Sequence, residues 1–145
     1  MTKMSTPVGD ITIGATKKGI TFISWGAFDA PSTPHAETAK QQIQEYFAGT
    51  RTSFDVPFDL SGTPYQQRVW AAIYKIPFGE TLSYADVALA IGSHPRAVGG
   101  ATGKNPLPII IPCHRVMGKN GALTGFSGGE GVATKEKFLQ HEGIL

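Results

Sequence analysis

Three prolines within seven residues, Pro106, Pro108 and Pro112, set the strongest limit on how this 145-residue chain folds. Each removes a backbone donor and pushes its predecessor away from the helical region, so residues 105–108 cannot be helix interior. The apolar run Ile109-Ile110-Ile111 is held between them and leads through Pro112 into Cys113. Helical signals lie on both sides. Upstream, Thr63 is an N-cap with Pro64 at the first helical position, and Tyr65, Val69, Ala72, Ile73 and Ile76 form one stripe that Pro77-Phe78-Gly79 stops. Ser83 caps a second helix carrying Val87, Ala88 and Ile91 and ending at Gly92. After the turn Ser93-His94-Pro95, a third short helix of small residues runs from Arg96 to Gly103. Two helices joined by a glycine-containing turn, the second headed by Arg, fit a helix-turn-helix. Downstream, a last helix has Val132, Lys135 and Glu136 in its first turns and Phe138 and Leu139 on its buried side.

The first part of the chain reads differently. Ile11, Ile13 and Ala15 alternate with polar residues, and Ile20-Thr21-Phe22-Ile23-Ser24-Trp25 is β-branched and aromatic. Lys17-Lys18-Gly19 between them predicts a hairpin, with Gly19 available for a left-handed turn. Ala39, Ile43, Tyr46 and Phe47 recur at helical spacing, and Phe54-Asp55-Val56-Pro57-Phe58 is one more short extended segment, at an edge because of Pro57. The expected fold class is therefore α+β. A small N-terminal domain of hairpin or sheet plus helix (residues 1–60) precedes a mostly helical C-terminal domain with a helix-turn-helix (residues 61–145).

Charge follows the same division. Residues 1–60 carry five Lys and Arg against six Asp and Glu, and residues 61–145 carry eight against five. Between Asp86 and Glu130 the only charged residues are Arg96, Lys104, Arg115 and Lys119. A base-only stretch of that length fits a polyanion-facing surface, but on charge alone a solvated face is the better explanation. Cys113 is the single cysteine, which excludes an intrachain disulfide and a cysteine-rich zinc cluster. No apolar run approaches membrane-spanning length and no signal peptide is evident, so a reducing cytoplasmic setting (nucleoid-associated if the chain is bacterial) is expected.

A lone cysteine is ordinarily a buried structural residue. Here it lies in Ile111-Pro112-Cys113-His114-Arg115-Val116, with a base beside it and Glu142 available downstream to orient that base. The stretch from Asn105 through Val116 resembles the active-site signature of the O6-alkylguanine-DNA alkyltransferases. Phe126-Ser127-Gly128-Gly129 resembles that family's active-site loop, and residues 135–143, ending His141-Glu142-Gly143, resemble its C-terminal helix. Thr63-Pro64-Tyr65-Gln66, Val69-Trp70, Pro77-Phe78-Gly79-Glu80, Ser83-Tyr84 and Arg96-Ala97-Val98-Gly99 fall in the family's order. The likeness is close over residues 62–143 and looser over residues 4–58. The segment from Tyr84 to Arg96 is slightly shorter than usual, in the turn at residues 92–95, and the loop at 26–36 is also abbreviated.

The resemblance implies single-use repair of DNA by base flipping, with the alkyl group of O6-alkylguanine passing to Cys113. His114 would be the base, through a bridging water, Glu142 the orienting carboxylate, and Asn105 a hydrogen-bonding hinge beside them. Tyr84 would help flip the nucleotide and donate to the purine, Ser127 would contact the base near O6, and Arg96 would fill the gap in the duplex. Thr102 and Arg115 complete the implied DNA contacts. No cofactor and no metal are implied; the partner is double-stranded DNA, no membrane is involved, and a monomer is expected. Gly125, near Phe126 and Pro108, hints at room for more than methyl. The same residues leave two other readings open: a DNA-lesion binder that uses only the helix-turn-helix, and a cysteine hydrolase built on Cys113, His114 and Glu142.

Overall fold

The computed structural model describes residues 2–26, 32–123 and 128–145. The chain divides into two compact units, Met1–Ser61 and Gly62–Leu145.

In the first unit, β1 (Lys3–Thr6), β2 (Gly9–Ala15) and β3 (Ile20–Trp25) form an antiparallel sheet in the order β1-β2-β3. The expected hairpin is β2-β3, with Ile13 opposite Ile23; β1 adds an edge strand that its polar sequence did not announce. Gly19 is needed for a different reason than expected. Its backbone is not left-handed, and a Cβ there would lie 2.5 Å from the Pro57 carbonyl oxygen. That close approach lets Pro57 accept from Ile20 N (2.9 Å) while Asp59 N donates to Ile20 O (2.9 Å), which pairs the 54–58 segment alongside β3. Helix α1 (Pro34–Phe47) is capped by Thr33 and packs Ala36, Ala39, Ile43 and Tyr46 inward, a stripe at helical spacing. Gln42 on the same side clasps Asp55 at both backbone groups, accepting from its N–H at 2.9 Å and donating to its carbonyl at 3.0 Å.

The second unit contains α2 (Pro64–Tyr74), α3 (Tyr84–Ile91), α4 (Pro95–Thr102) and α5 (Val132–His141), with the two-residue strands β4 (Leu82–Ser83) and β5 (Val116–Met117). Thr63 and Ser83 are N-caps as their side chains require. Each accepts from the N–H three residues on (3.0 Å), and Gln66 or Asp86 returns a bond to the cap's own N–H (3.0 Å). Those bonds to Ser83 lower the Asp86 carboxyl pKa. Gly92 ends α3 in the left-handed region, φ 69°. Tyr65 Oη and Ser93 Oγ share a hydrogen bond of 2.7 Å, and Arg68 donates to the Ile91 carbonyl, so α2 braces the turn between α3 and α4. Trp70 binds the Ala101 carbonyl through its indole N–H (2.8 Å), locking α4 against α2.

The proline-rich segment is compact rather than extended. Ile111 N donates to Leu107 O (2.8 Å), Ile109 has φ 77°, and all three isoleucines are buried. A β-branched residue in the left-handed region is strained. Its surroundings hold it there: Asn105 Oδ1 accepts from Leu107 N (2.9 Å) and Asn105 Nδ2 donates to Ile111 O (2.9 Å). The chain then makes a single 3₁₀ turn over Cys113–Arg115 and pairs β5 parallel to β4, Ser83 opposite Met117. That short ladder ties the cysteine turn to the start of α3, where Tyr84 stands.

Candidate active site

A 3₁₀ turn has three residues per turn, so consecutive side chains leave it in widely separated directions. Adjacency on an extended chain would have set His114 and Arg115 on opposite faces. In the turn both reach Glu142, which caps the C-terminal end of α5. His114 Nε2 lies 2.6 Å from Glu142 Oε2. Arg115 grips the same carboxylate with two bonds, Nε to Oε1 at 2.7 Å and Nη2 to Oε2 at 3.0 Å, while its Nη1 donates to the Ile76 carbonyl at 2.7 Å. The His114 ring stacks on Phe138 (centroids 4.5 Å apart, planes at 17°), and the guanidinium lies over the Phe78 ring at 5.7 Å. The Glu142 side chain has no exposed surface.

The protonation pattern follows from donor chemistry. An ionised carboxylate only accepts, so the histidine nitrogen facing it, Nε2, carries the proton. Nδ1 is then a lone-pair acceptor; it is buried and without a hydrogen-bond partner. Burial pushes the His114 pKa down; Glu142 opposes this, and the charges of Arg115 and Lys135 reinforce it. Burial likewise pushes the Cys113 thiol up, with the Asn105 side chain and the Lys135 charge pulling against it. The resting arrangement is a buried thiol followed in the chain by an imidazole whose Nδ1 is buried and without a hydrogen-bond partner.

Cys113, His114, Glu142 and Asn105 are thus brought together. Tyr84 is the half-buried first residue of α3, and Arg96 is exposed in the first turn of α4. Gly99 and Gly100, on the same helix, face open space. Ser127, with Gly125 and Phe126, lies outside the described residues. Two expected DNA contacts need correction. Arg115 is internal, its guanidinium held by Glu142 and Ile76, because a buried carboxylate demands a cation beside it. Thr102 is also internal, donating to the Val98 carbonyl at 2.7 Å, as a hydroxyl inside a helix commonly does.

Lys135 was missed as a site residue. It is 1% exposed, donates through Nζ to the Val116 carbonyl, and burial pulls its pKa to about 8. Its spacing to Phe138 and Leu139, three and four residues on, could have revealed that it shares their buried face. Among the described residues no group of three or more His, Cys, Asp or Glu could hold a metal ion, and no helix is long and apolar enough to cross a membrane.

Comparison with known proteins agrees with this geometry. Residues 64–144 match the model for the DNA binding domain of 6-O-methylguanine DNA methyltransferase, and residues 1–60 match that protein's ribonuclease-like domain. The constitutive methylated-DNA–protein-cysteine methyltransferase of Bacillus subtilis is 47% identical over 142 residues, spanning 88% of this chain and 86% of that one. A methylated-DNA–protein-cysteine methyltransferase of Methanosarcina acetivorans is 38% identical over 94% of both chains. The crystal structure of Mycobacterium tuberculosis OGT in complex with DNA superposes with a TM-score of 0.87 and 41% identity, covering 97% of this chain and 90% of that one. With both family models together spanning nearly all of the sequence around a buried Cys-His-Glu array, the chain belongs to the 6-O-methylguanine DNA methyltransferase family.

Proposed function

We propose that this chain repairs DNA by moving an alkyl group, methyl above all, from O6 of guanine in a duplex onto Cys113, irreversibly and once per molecule. This is the activity of a methylated-DNA–protein-cysteine S-methyltransferase, the name its relatives bear. The observation that carries the reading is His114, anchored to Glu142 through Nε2 and presenting an unpartnered buried Nδ1 next in sequence to the only thiol.

O6 is inside the stacked duplex, so the nucleotide must be extruded before a protein nucleophile can reach its substituent. Arg96, exposed at the head of α4, takes the vacated place with a planar cation, and the bare surface at Gly99 and Gly100 admits the DNA backbone closely. In the pocket, the Cys113 proton passes to His114 Nδ1, directly or through one water. The thiolate then attacks the alkyl carbon; an S–C bond forms, the C–O6 bond breaks, and its electron pair stays on the purine. Tyr84 donates a proton to the purine as that charge develops, and the proton held by His114 replaces it through solvent. One proton leaves the thiol and one arrives on guanine. Asn105 fixes the turn that carries the cysteine, and Ser127 contacts the base near O6. No group in this site can cleave the thioether, which makes the protein a stoichiometric reagent.

In this reading, residues 61–145 are the DNA-binding and active-site domain and residues 1–60 a small α/β companion. The protein works as a monomer in the cytoplasm, on chromosomal DNA, without cofactor or metal. Intact-mass measurement after incubation with a duplex containing O6-methylguanine tests it: a gain of one methyl on Cys113 without further turnover is expected. An unchanged mass in folded, reduced protein refutes it, and repeated release of product points to a hydrolase.

A further inference from the structure

Arg115 has no role in the proton and alkyl movements above, yet it makes three of the hydrogen bonds in the buried array. We propose that Arg115 is a positioning residue for the alkyl transfer, turning the Glu142 carboxylate so that it receives the His114 Nε2–H and balancing its charge so that His114 rests neutral with Nδ1 available as base. This rests on the reading of Cys113 as acceptor and His114 as its base.

Orientation comes first. A carboxylate at the end of a long side chain can rotate, and one hydrogen bond to an imidazole does not stop it. The planar guanidinium engages both oxygens, and its remaining arm is fixed to the Ile76 carbonyl at 2.7 Å. Glu142 Oε1 also lies 3.5 Å from Gly79 N, which donates to it. Oε2 is therefore held where Nε2 finds it, and the histidine tautomer is set.

Charge balance is the second effect. A buried carboxylate with no cation would draw a proton onto the His114–Glu142 pair, and an imidazolium cannot accept another from the thiol. Among the described residues, the charged groups acting on His114 are Glu142 beyond α5, Lys135 on α5, and Arg115 in its own 3₁₀ turn; Cys113 precedes it in that turn, and Phe138 supplies an apolar face. Glu142 favours the imidazolium and the two cations oppose it. Arg115 alone touches the carboxylate on both oxygens among the contacts described.

Titration of His114 by ¹⁵N NMR, with the acid limb of single-turnover methyl transfer, tests this. In Arg115→Met the pair should take up its proton at a pH higher by about 1–3 units, the acid limb moving with it. Arg115→Lys keeps the charge and loses the fork, so its midpoint should stay near that of the unaltered protein while the transfer rate falls roughly tenfold. A folded Arg115→Met protein whose titration and acid limb superimpose on the unaltered ones overturns the proposal. If that variant does not fold, the unaltered protein decides: His114 protonated on Nε2 alone near neutral pH supports it, and a doubly protonated ring overturns it. Mass gain by the unaltered protein, measured in parallel, separates failure of this assignment from failure of the alkyl-transfer reading.

Discussion

The two units bury different kinds of polar group. Among the described residues, the interior of the first holds Thr2, Thr12 and Gln42, all uncharged, whereas the second holds His114, Arg115, Lys135 and Glu142 beside Thr102 and Thr134. Among the described residues, every buried Lys, Arg, His or Glu side chain thus stands in the unit that carries Cys113, and each is placed within the array or in electrostatic reach of it. Uncharged buried groups serve architecture: Gln42 joins α1 to the 54–58 segment, and Thr12 Oγ1 donates to Gly26 O at 2.8 Å. A buried ion pair is seldom the most stabilising choice, since apolar residues of similar volume often do as well. Its presence around the one cysteine points to chemistry rather than to stability.

That contrast can be broken in measurable ways. The largest effect is expected from Glu142→Ala, which strands the Arg115 guanidinium and the His114 Nε2–H together in the interior. Urea unfolding should show a loss of about 3–5 kcal/mol; a loss below about 1 kcal/mol, the worth of an exposed pair, would mean the array is solvated. Gln42→Ala in the first unit should cost about 1–3 kcal/mol, the penalty for unpaired backbone groups of Asp55, and methyl transfer per folded molecule should stay unchanged.

The third difference is in pH dependence. His114 is held below its ordinary pKa, so in acid the unfolded chain binds a proton that the folded chain refuses. Its contribution is intact above the unfolded value of about 6.5 and is lost as pH falls toward the depressed folded value. The slope from this one proton cannot exceed about 1.4 kcal/mol per pH unit. Lys135, with a folded pKa of about 8, is protonated in both states across that window and adds no slope. Melting temperatures recorded from neutral pH down to the carboxylate range should fall in the unaltered protein and fall less in His114→Gln. Equal slopes would remove His114 from the buried charge set.

Much of the fold was legible from neighbouring residues. Thr63-Pro64, Ser83 and Gly92 mark helix ends because capping bonds span only three or four positions. The alternation in Ile11 and Ile13 announced a strand for the same local reason. The site was legible in part: His114 and Glu142, named from the motif resemblance, are in contact and Asn105 braces the turn before Cys113, whereas Arg115 and Thr102 turned inward. A base-only stretch describes charges along the chain and says nothing of which way each side chain points.

The sequence by itself therefore determined the division into a sheet-bearing part and a helical part, the ends of α2 and α3, and the family motif in which Cys113 stands. Only the tertiary structure decided the company that cysteine keeps. Glu142 is 27 residues from Arg115 and 28 from His114, and Ile76 is 39 from Arg115. Whether such groups meet depends on the 3₁₀ turn at Cys113 and on the docking of α5, which are settled by packing across the whole unit. Burial then converts Arg115 from an apparent surface charge into the partner a dry carboxylate requires, because an isolated charge in that interior would cost more than the fold could sustain.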